Sequence, residues 1–201
     1  MLDGPSKVSG GRTAYTGRVP TPAEHASRIV RAFPSALEAD VRAVCQDIPA
    51  SDYGPTESVL VVHINGETIR IPHRVYFDEP SYLLGPRGVR KDILACVYSR
   101  HHDGFVRERY VKHLLSSDHA WVPPFAVQLA GEYVLQIVQL VASHSARLGL
   151  EPYRSFVAQN PAFMAVTRQR MVSYWDCYYR RDYPDFAAYP GSRVLEALQA
   201  P

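Results

Sequence analysis

A histidine-rich segment near the middle of the chain carries residue types that bind transition metals. It reads Arg100-His101-His102-Asp103, and imidazole and carboxylate groups are ligands for zinc and similar ions. The spacing argues against a metal site, because adjacent histidines point in different directions on a helix and no HExxH motif is present. We therefore expect no bound metal and no cofactor. A metal-dependent enzyme using His101, His102 and Asp103 stays as an alternative.

The sequence contains none of the familiar nucleophile or phosphate-loop patterns. It has no GxSxG motif and no glycine-rich phosphate-binding loop, which are the usual local signals of a hydrolase or a nucleotide-binding enzyme. No catalytic residue is predicted, and a non-enzymatic role is favoured.

A segment near the C-terminal end combines arginines with aromatic residues, the composition typical of interface hot spots. At helical spacing Tyr174 and Tyr178 share one face, and Trp175 and Tyr179 share another. One of these aromatic faces must pack on the core, and the second provides more aromatic surface than core packing requires. We predict a helix that binds a protein partner or a second copy of the chain. Its predicted binding residues are Arg168, Arg170, Tyr174, Trp175, Tyr178, Tyr179, Arg180 and Arg181.

Basic residues are concentrated between positions 87 and 112. This stretch holds seven arginines and lysines against three acids, whereas the whole chain has a net charge of only +2. The low net charge is unlike a typical nucleic-acid-binding module. A basic helix pair that contacts phosphates is still an alternative function. Its candidate nucleic-acid-binding residues are Arg87, Arg90, Lys91, Arg100, Arg107, Arg109 and Lys112.

The composition is that of a globular protein. The 201 residues are 46% hydrophobic and 21% charged, which separates the chain from disordered proteins. Residues 1–20 are rich in Gly, Ser and Thr and have no apolar period, so we expect a flexible arm there and a single, mostly helical domain over 21–201. The stretch also lacks the apolar core of a secretory signal.

Three widely separated cysteines, Cys45, Cys96 and Cys177, occur without a CxxC pair. We expect reduced, buried thiols and a cytoplasmic location, because structural disulfides are rare in reducing compartments.

The clearest local signal is a β-hairpin at about 59–77. Asn65-Gly66 favours the positive φ angles of a type I′ turn, and β-branched residues flank it on both sides. A lone hairpin is marginally stable in water, so we expect it to pack on helices.

The most apolar segment predicts a central helix at about 123–148. It carries Gln128, Glu132, Gln136 and Gln139, whose spacing draws one polar stripe along a helix that is otherwise apolar. Such a helix fits the middle of a protein core better than a membrane, and no membrane association is expected. The predicted fold class is mainly α: a compact multi-helix domain around this buried helix, with the hairpin packed on it.

A helix–turn–helix is predicted around Asp103-Gly104. The run Asp103-Gly104-Phe105-Val106-Arg107 resembles the Asp-x-x-Val-Arg pattern that opens the second helix of HEAT-type repeats. The resemblance covers one helix pair and implies two consecutive helices packed against each other. Asp103 is expected to cap the second helix by accepting a hydrogen bond from the backbone N–H of Phe105 or Val106.

Overall fold

The structure is a computed structural model, which describes residues 21–49, 51, 53–80 and 88–199. It confirms a mainly helical fold with one antiparallel hairpin. The predicted arm over 1–20 lies outside the described residues. The elements in chain order are α1 (Pro22–Val30), α2 (Glu38–Asp47), β1 (Val59–Ile64), β2 (Glu67–Pro72), α3 (Val89–Tyr98), α4 (Gly104–Leu114), α5 (Pro123–Ala130), α6 (Leu135–Ser143), α7 (Ser145–Leu148), α8 (Glu151–Gln159), α9 (Pro161–Tyr174) and α10 (Pro190–Gln199).

Helix α1 begins with a complete capping box. The Thr21 hydroxyl accepts a hydrogen bond from the Glu24 backbone N–H at 3.3 Å, and the Glu24 carboxylate accepts one from the Thr21 backbone N–H at 2.7 Å. Two N–H groups that a helix start would leave unpaired are thereby satisfied. A short 3-10 turn, Ser35–Leu37, then leads into α2.

The hairpin forms at the predicted turn. Asn65 has a φ of 50° and Gly66 a φ of 84°, the left-handed region that a type I′ turn requires. The paired strands run from Ile64↔Glu67 to Val59↔Pro72, short of the predicted residue 77. Beyond them the pairing is irregular: the His73 N–H donates to the Ser58 carbonyl at 3.1 Å, and the Thr56 N–H donates to the Arg74 carbonyl at 2.9 Å. Farther along the chain, Val75 forms one parallel bridge with His101.

The prediction of a single helix over about 123–148 is wrong in one respect: the segment is divided into three helices, α5, α6 and α7. The first break, between Ala130 and Leu135, places Glu132 in a loop and not on a helical stripe. A Cβ atom added at Gly131 would lie 3.2 Å from the Thr167 carbonyl oxygen, so the missing side chain lets α9 approach closely. The core location is confirmed, since every residue of α5 is buried.

No helix in the described ranges combines the length and apolar character needed to cross a membrane.

The predicted binding helix does not stay a regular α-helix to its last predicted member, Arg181. Helix α9 ends at Tyr174, and the chain continues as a π-helical turn, Trp175–Tyr179. The Trp175 indole N–H donates to the Tyr183 carbonyl at 2.8 Å and fixes the chain as it turns back. Helix α10 then packs on α6 and α7, burying Val194, Leu195 and Leu198.

The three cysteines are free, as expected. Cys96 is fully buried and Cys45 is half-buried, but Cys177 is exposed on the π-helical turn. Cys177 lies on a surface turn outside the regular helix, so the expectation of a buried thiol is wrong for this residue.

Candidate functional site

A buried ionic cluster joins four parts of the chain. Glu132, from the loop between α5 and α6, lies 2.9 Å from the Arg74 guanidinium, 3.5 Å from Arg100 and 3.6 Å from Arg107. Arg74 follows β2, Arg100 follows α3 and Arg107 lies in α4. We call these four residues the arginine–glutamate cluster. Arg100 and Arg107 are both 0% exposed, which is rare for arginine and requires compensation of the charge.

Backbone carbonyls satisfy part of this buried charge. Arg100 donates to the His73 carbonyl at 2.9 Å. Arg107 donates to the carbonyls of His101 at 2.7 Å and His102 at 2.9 Å. These carbonyls lie beside the Val75↔His101 bridge, which holds the chain after β2 against the end of α3. The bridge and the guanidinium groups therefore stabilise one another.

The electrostatic balance of the cluster favours an ionised glutamate. Burial alone would raise the pKa of Glu132, but attraction to Arg100, Arg74 and Arg107 outweighs it and holds that pKa below its ordinary value. Burial lowers the pKa of Arg100 to about 9 against the opposing attraction of Glu132. Both groups are therefore charged at neutral pH.

A polar pocket of about 300 Å³ opens beside the cluster. Burial, together with the positive charges of Arg170, Arg100 and Arg74, lowers the pKa of its His73, so this imidazole is neutral at pH 7. Two predicted partner-binding residues, Arg170 and Tyr174, reach this pocket and not the outer surface of α9. The lining residues are His73, Arg74, Gln128, Gly131, Glu132, Arg170 and Tyr174.

Sequence reasoning missed most of this site. The sequence pattern places Glu132 on a helical stripe and places His73 and Arg74 at the end of the hairpin. The available signal was a lone carboxylate inside the most apolar segment, since such a group is buried only when it is paired.

The histidine-rich turn is arranged as a structural element. His101 Nε2 lies 2.9 Å from the Phe77 carbonyl, and His101 Nδ1 accepts from the Asp103 backbone N–H at 3.1 Å, so both ring nitrogens are engaged. Asp103 accepts from the Phe105 backbone N–H at 2.7 Å, which confirms the predicted cap. His102 is exposed and stacks on Tyr76 at 5.0 Å. Within the described residues, no group of three or more His, Cys, Asp or Glu is placed to hold a metal ion.

The basic stretch does not form a continuous surface. Arg100 and Arg107 lie in the interior, a correction to their candidate role as phosphate contacts on a nucleic acid. They are buried because their guanidinium groups compensate Glu132. Of the exposed members, Arg90 pairs with Asp40, and Arg109 pairs with Glu79. Lys91 and Lys112 are exposed, and Arg87 is outside the described residues.

The arginine- and aromatic-rich segment divides between core and surface. Trp175 packs edge-to-face on Phe186 at 5.2 Å. Tyr179 stacks on Tyr189 at 5.8 Å and donates to the Tyr133 carbonyl. The structure leaves the other predicted members at the surface: Arg168, Tyr178, Arg180 and Arg181.

The outward face of α9 carries apolar residues that the core leaves unused. Val166 is 44% exposed and Val172 is 38% exposed, whereas the buried side includes the polar Thr167. A shallow groove of about 460 Å³ runs along this face. We call it the α9 groove; its lining residues are Arg168, Gln169, Val172, Ser173, Trp175 and Asp176.

No protein-family model, curated protein or solved structure matches the chain at a significant level. Its function must be inferred from its own residues and their geometry.

Proposed function

We propose that this chain is a non-enzymatic helical interaction protein that associates with a second copy of itself through the α9 groove. The observation that carries the proposal is the charge pattern around Val172. Arg168 precedes Val172 by four residues, and Asp176 follows it by four. Both charged residues line the groove and are exposed.

This pattern is complementary to itself under twofold symmetry. Two copies of α9 that pair antiparallel across Val172 place Arg168 of each copy opposite Asp176 of the other, because a twofold interface repeats every contact. Arg168 has no ion-pair partner within the described residues. In the part of the chain that the structure describes, Asp176 forms an ion pair with the exposed Arg180 alone, at 2.7 Å. An exposed pair of this kind contributes little and is readily exchanged for an intermolecular one.

The side chains between these charges suit close helix packing. Val172 and Ser173 are short and lie at the centre of the groove, so a second helix can approach without a large desolvated polar group between them. The Trp175 ring forms one wall and is held by its hydrogen bond to the Tyr183 carbonyl. A preorganised aromatic wall lowers the entropic cost of association.

A charge exchange tests the proposal. We expect wild type to sediment as a concentration-dependent dimer. Arg168→Asp alone places two aspartates opposite each other at both ends of the groove and should weaken dimerisation by about tenfold or more. Asp176→Arg alone should do the same with two arginines. The double variant R168D/D176R restores opposite charges and should recover the dimer.

Arg42→Asp is the control. Arg42 is an exposed arginine that lies on α2, outside the α9 groove, and pairs with Glu38 of the same helix. The substitution should leave the dimer unchanged. A wild-type chain that stays monomeric at the highest concentration reached in sedimentation equilibrium would overturn self-association. A double variant no better than the single ones would overturn the antiparallel arrangement.

We further propose that the protein works in the cytoplasm. The support is chemical: its three cysteines are unpaired and one of them is exposed, a pattern typical of reducing compartments.

A further inference from the structure

The arginine–glutamate cluster and its pocket carry more positive than negative charge. Arg74, Arg100 and Arg107 surround the single carboxylate of Glu132, and Arg170 adds a fourth guanidinium at the pocket wall. Within the described residues, no other carboxylate forms an ion pair with any of these arginines. Four guanidinium groups against one carboxylate leave three positive charges without a counter-charge.

Several buried polar atoms next to the pocket also lack hydrogen-bond partners. Among the described residues, Arg100 Nε and Nη1 and Arg107 Nε and Nη2 have no hydrogen-bond partner, although both side chains are buried. Arg100 lies directly behind the pocket wall, because its other terminal nitrogen contacts both the His73 carbonyl and the Glu132 carboxylate. Surplus buried charge is costly unless an anion compensates it.

We propose that this pocket binds the phosphate group of a small phosphate monoester. Arg74 and Arg170 line the pocket, and guanidinium groups bind phosphate oxygens through paired N–H donors. A phosphate dianion compensates two of the three surplus charges, whereas a second carboxylate would compensate only one. The neutral His73 imidazole can donate one hydrogen bond to a phosphate oxygen.

The shape of the pocket favours a small ligand over a macromolecule. Its volume of about 300 Å³ is at the lower end of the range for small-molecule sites. Gly131 lines the pocket where it packs against α9, and Tyr174 also lines it and can contact the part of the ligand beyond the phosphate. The binding site is separate from the α9 groove, so the proposal does not depend on self-association.

Calorimetric titration of inorganic phosphate into the full chain, at constant ionic strength in chloride buffer, tests the site. We expect saturable binding with one phosphate per chain. Arg170→Met removes a pocket guanidinium without touching the buried cluster, and should weaken binding by about tenfold or more. Arg193→Met is the control: it removes an exposed arginine of α10 that lines neither the pocket nor the α9 groove, and should leave phosphate affinity unchanged.

Three results would overturn the proposal. One is a wild-type chain, folded by circular dichroism, that shows no saturable phosphate binding. Another is equal weakening by Arg170→Met and Arg193→Met, which would indicate a general charge effect. The third concerns ligand class. Glycerol phosphate should bind at least as well as inorganic phosphate. If a phosphoserine peptide binds and neither small ligand does, the pocket belongs to a protein partner instead.

Discussion

At the scale of single residues, Glu132 has the largest influence on the interior. Glu132 is only 4% exposed, and its carboxylate is the shared counter-ion of three guanidinium groups. Removing one partner of a buried ionic network is far more damaging than removing a surface pair, because uncompensated charge remains in a medium of low polarity.

We expect Glu132→Gln to lower the free energy of unfolding by about 3–5 kcal/mol at pH 7. The folded-state pKa of Glu132 lies below its unfolded value, so the ionised carboxylate stabilises the fold fully above about pH 4.5 and progressively less as the pH falls through the folded pKa. The difference in free energy of unfolding between wild type and variant, measured by urea unfolding, should therefore narrow as the pH falls from 7 to 3.

Glu196→Gln is the control for this series, since Glu196 is exposed on α10. It should match wild type at every pH. A difference between wild type and Glu132→Gln that grows on acidification would contradict the ionised-carboxylate account.

At the scale of elements, Asn160 joins the hairpin to the helices. Its side-chain oxygen accepts from the His63 backbone N–H at 2.7 Å, and its amide donates to the His63 and Phe156 carbonyls at 2.8 Å each. Asn160 thus pairs with the outer edge of β1 as a neighbouring strand would. Asn160-Pro161 has the sequence of a helix cap, yet the side chain makes no cap hydrogen bond to α9.

Asn160→Ala should destabilise the protein by about 2 kcal/mol, because it leaves partly buried backbone groups of His63 without partners. Chemical denaturation measures the loss. Gln159→Ala is the comparison: its oxygen accepts from the Asn65 N–H at an exposed position, where water replaces the bond at little cost. Equal losses in the two variants would show that the link to β1 contributes nothing specific.

At the scale of the whole molecule, the last helix of the described chain is part of the core. Helix α10 packs on α6, α7 and α8 and buries Val194, Leu195 and Leu198. Burial of an aliphatic side chain contributes about 1.5–3 kcal/mol. The loss of three such residues is therefore large compared with the net stability of an ordinary domain, which is roughly 5–15 kcal/mol.

A chain ending after Tyr189 should consequently lose cooperative unfolding. Its exposed α6 surface should also make it prone to aggregate. Thermal unfolding followed by circular dichroism measures whether the truncated chain keeps a cooperative transition. Arg193→Ala, on the exposed side of α10, should retain the wild-type transition. A truncated chain with a sharp, unshifted transition would mean that α10 is dispensable.

What could be predicted from the sequence was local. The capping box at Thr21, the turn at Asn65-Gly66 and the Asp103 cap each depend on residues within three positions of one another, so their chemistry is visible in the linear chain. The cluster could not be predicted in this way. Arg74 and Glu132 are 58 positions apart, and nothing local distinguishes a buried arginine from a solvated one.

The same separation has a kinetic consequence. A charge cannot leave water at reasonable cost before its counter-charges are in place, and those of Glu132 arrive from β2, α3 and α4. We therefore expect the cluster to form late in folding, after the hairpin and the helices have docked. Its energy then acts mainly on the barrier to unfolding, so that it prolongs the lifetime of the native state more than it hastens its formation.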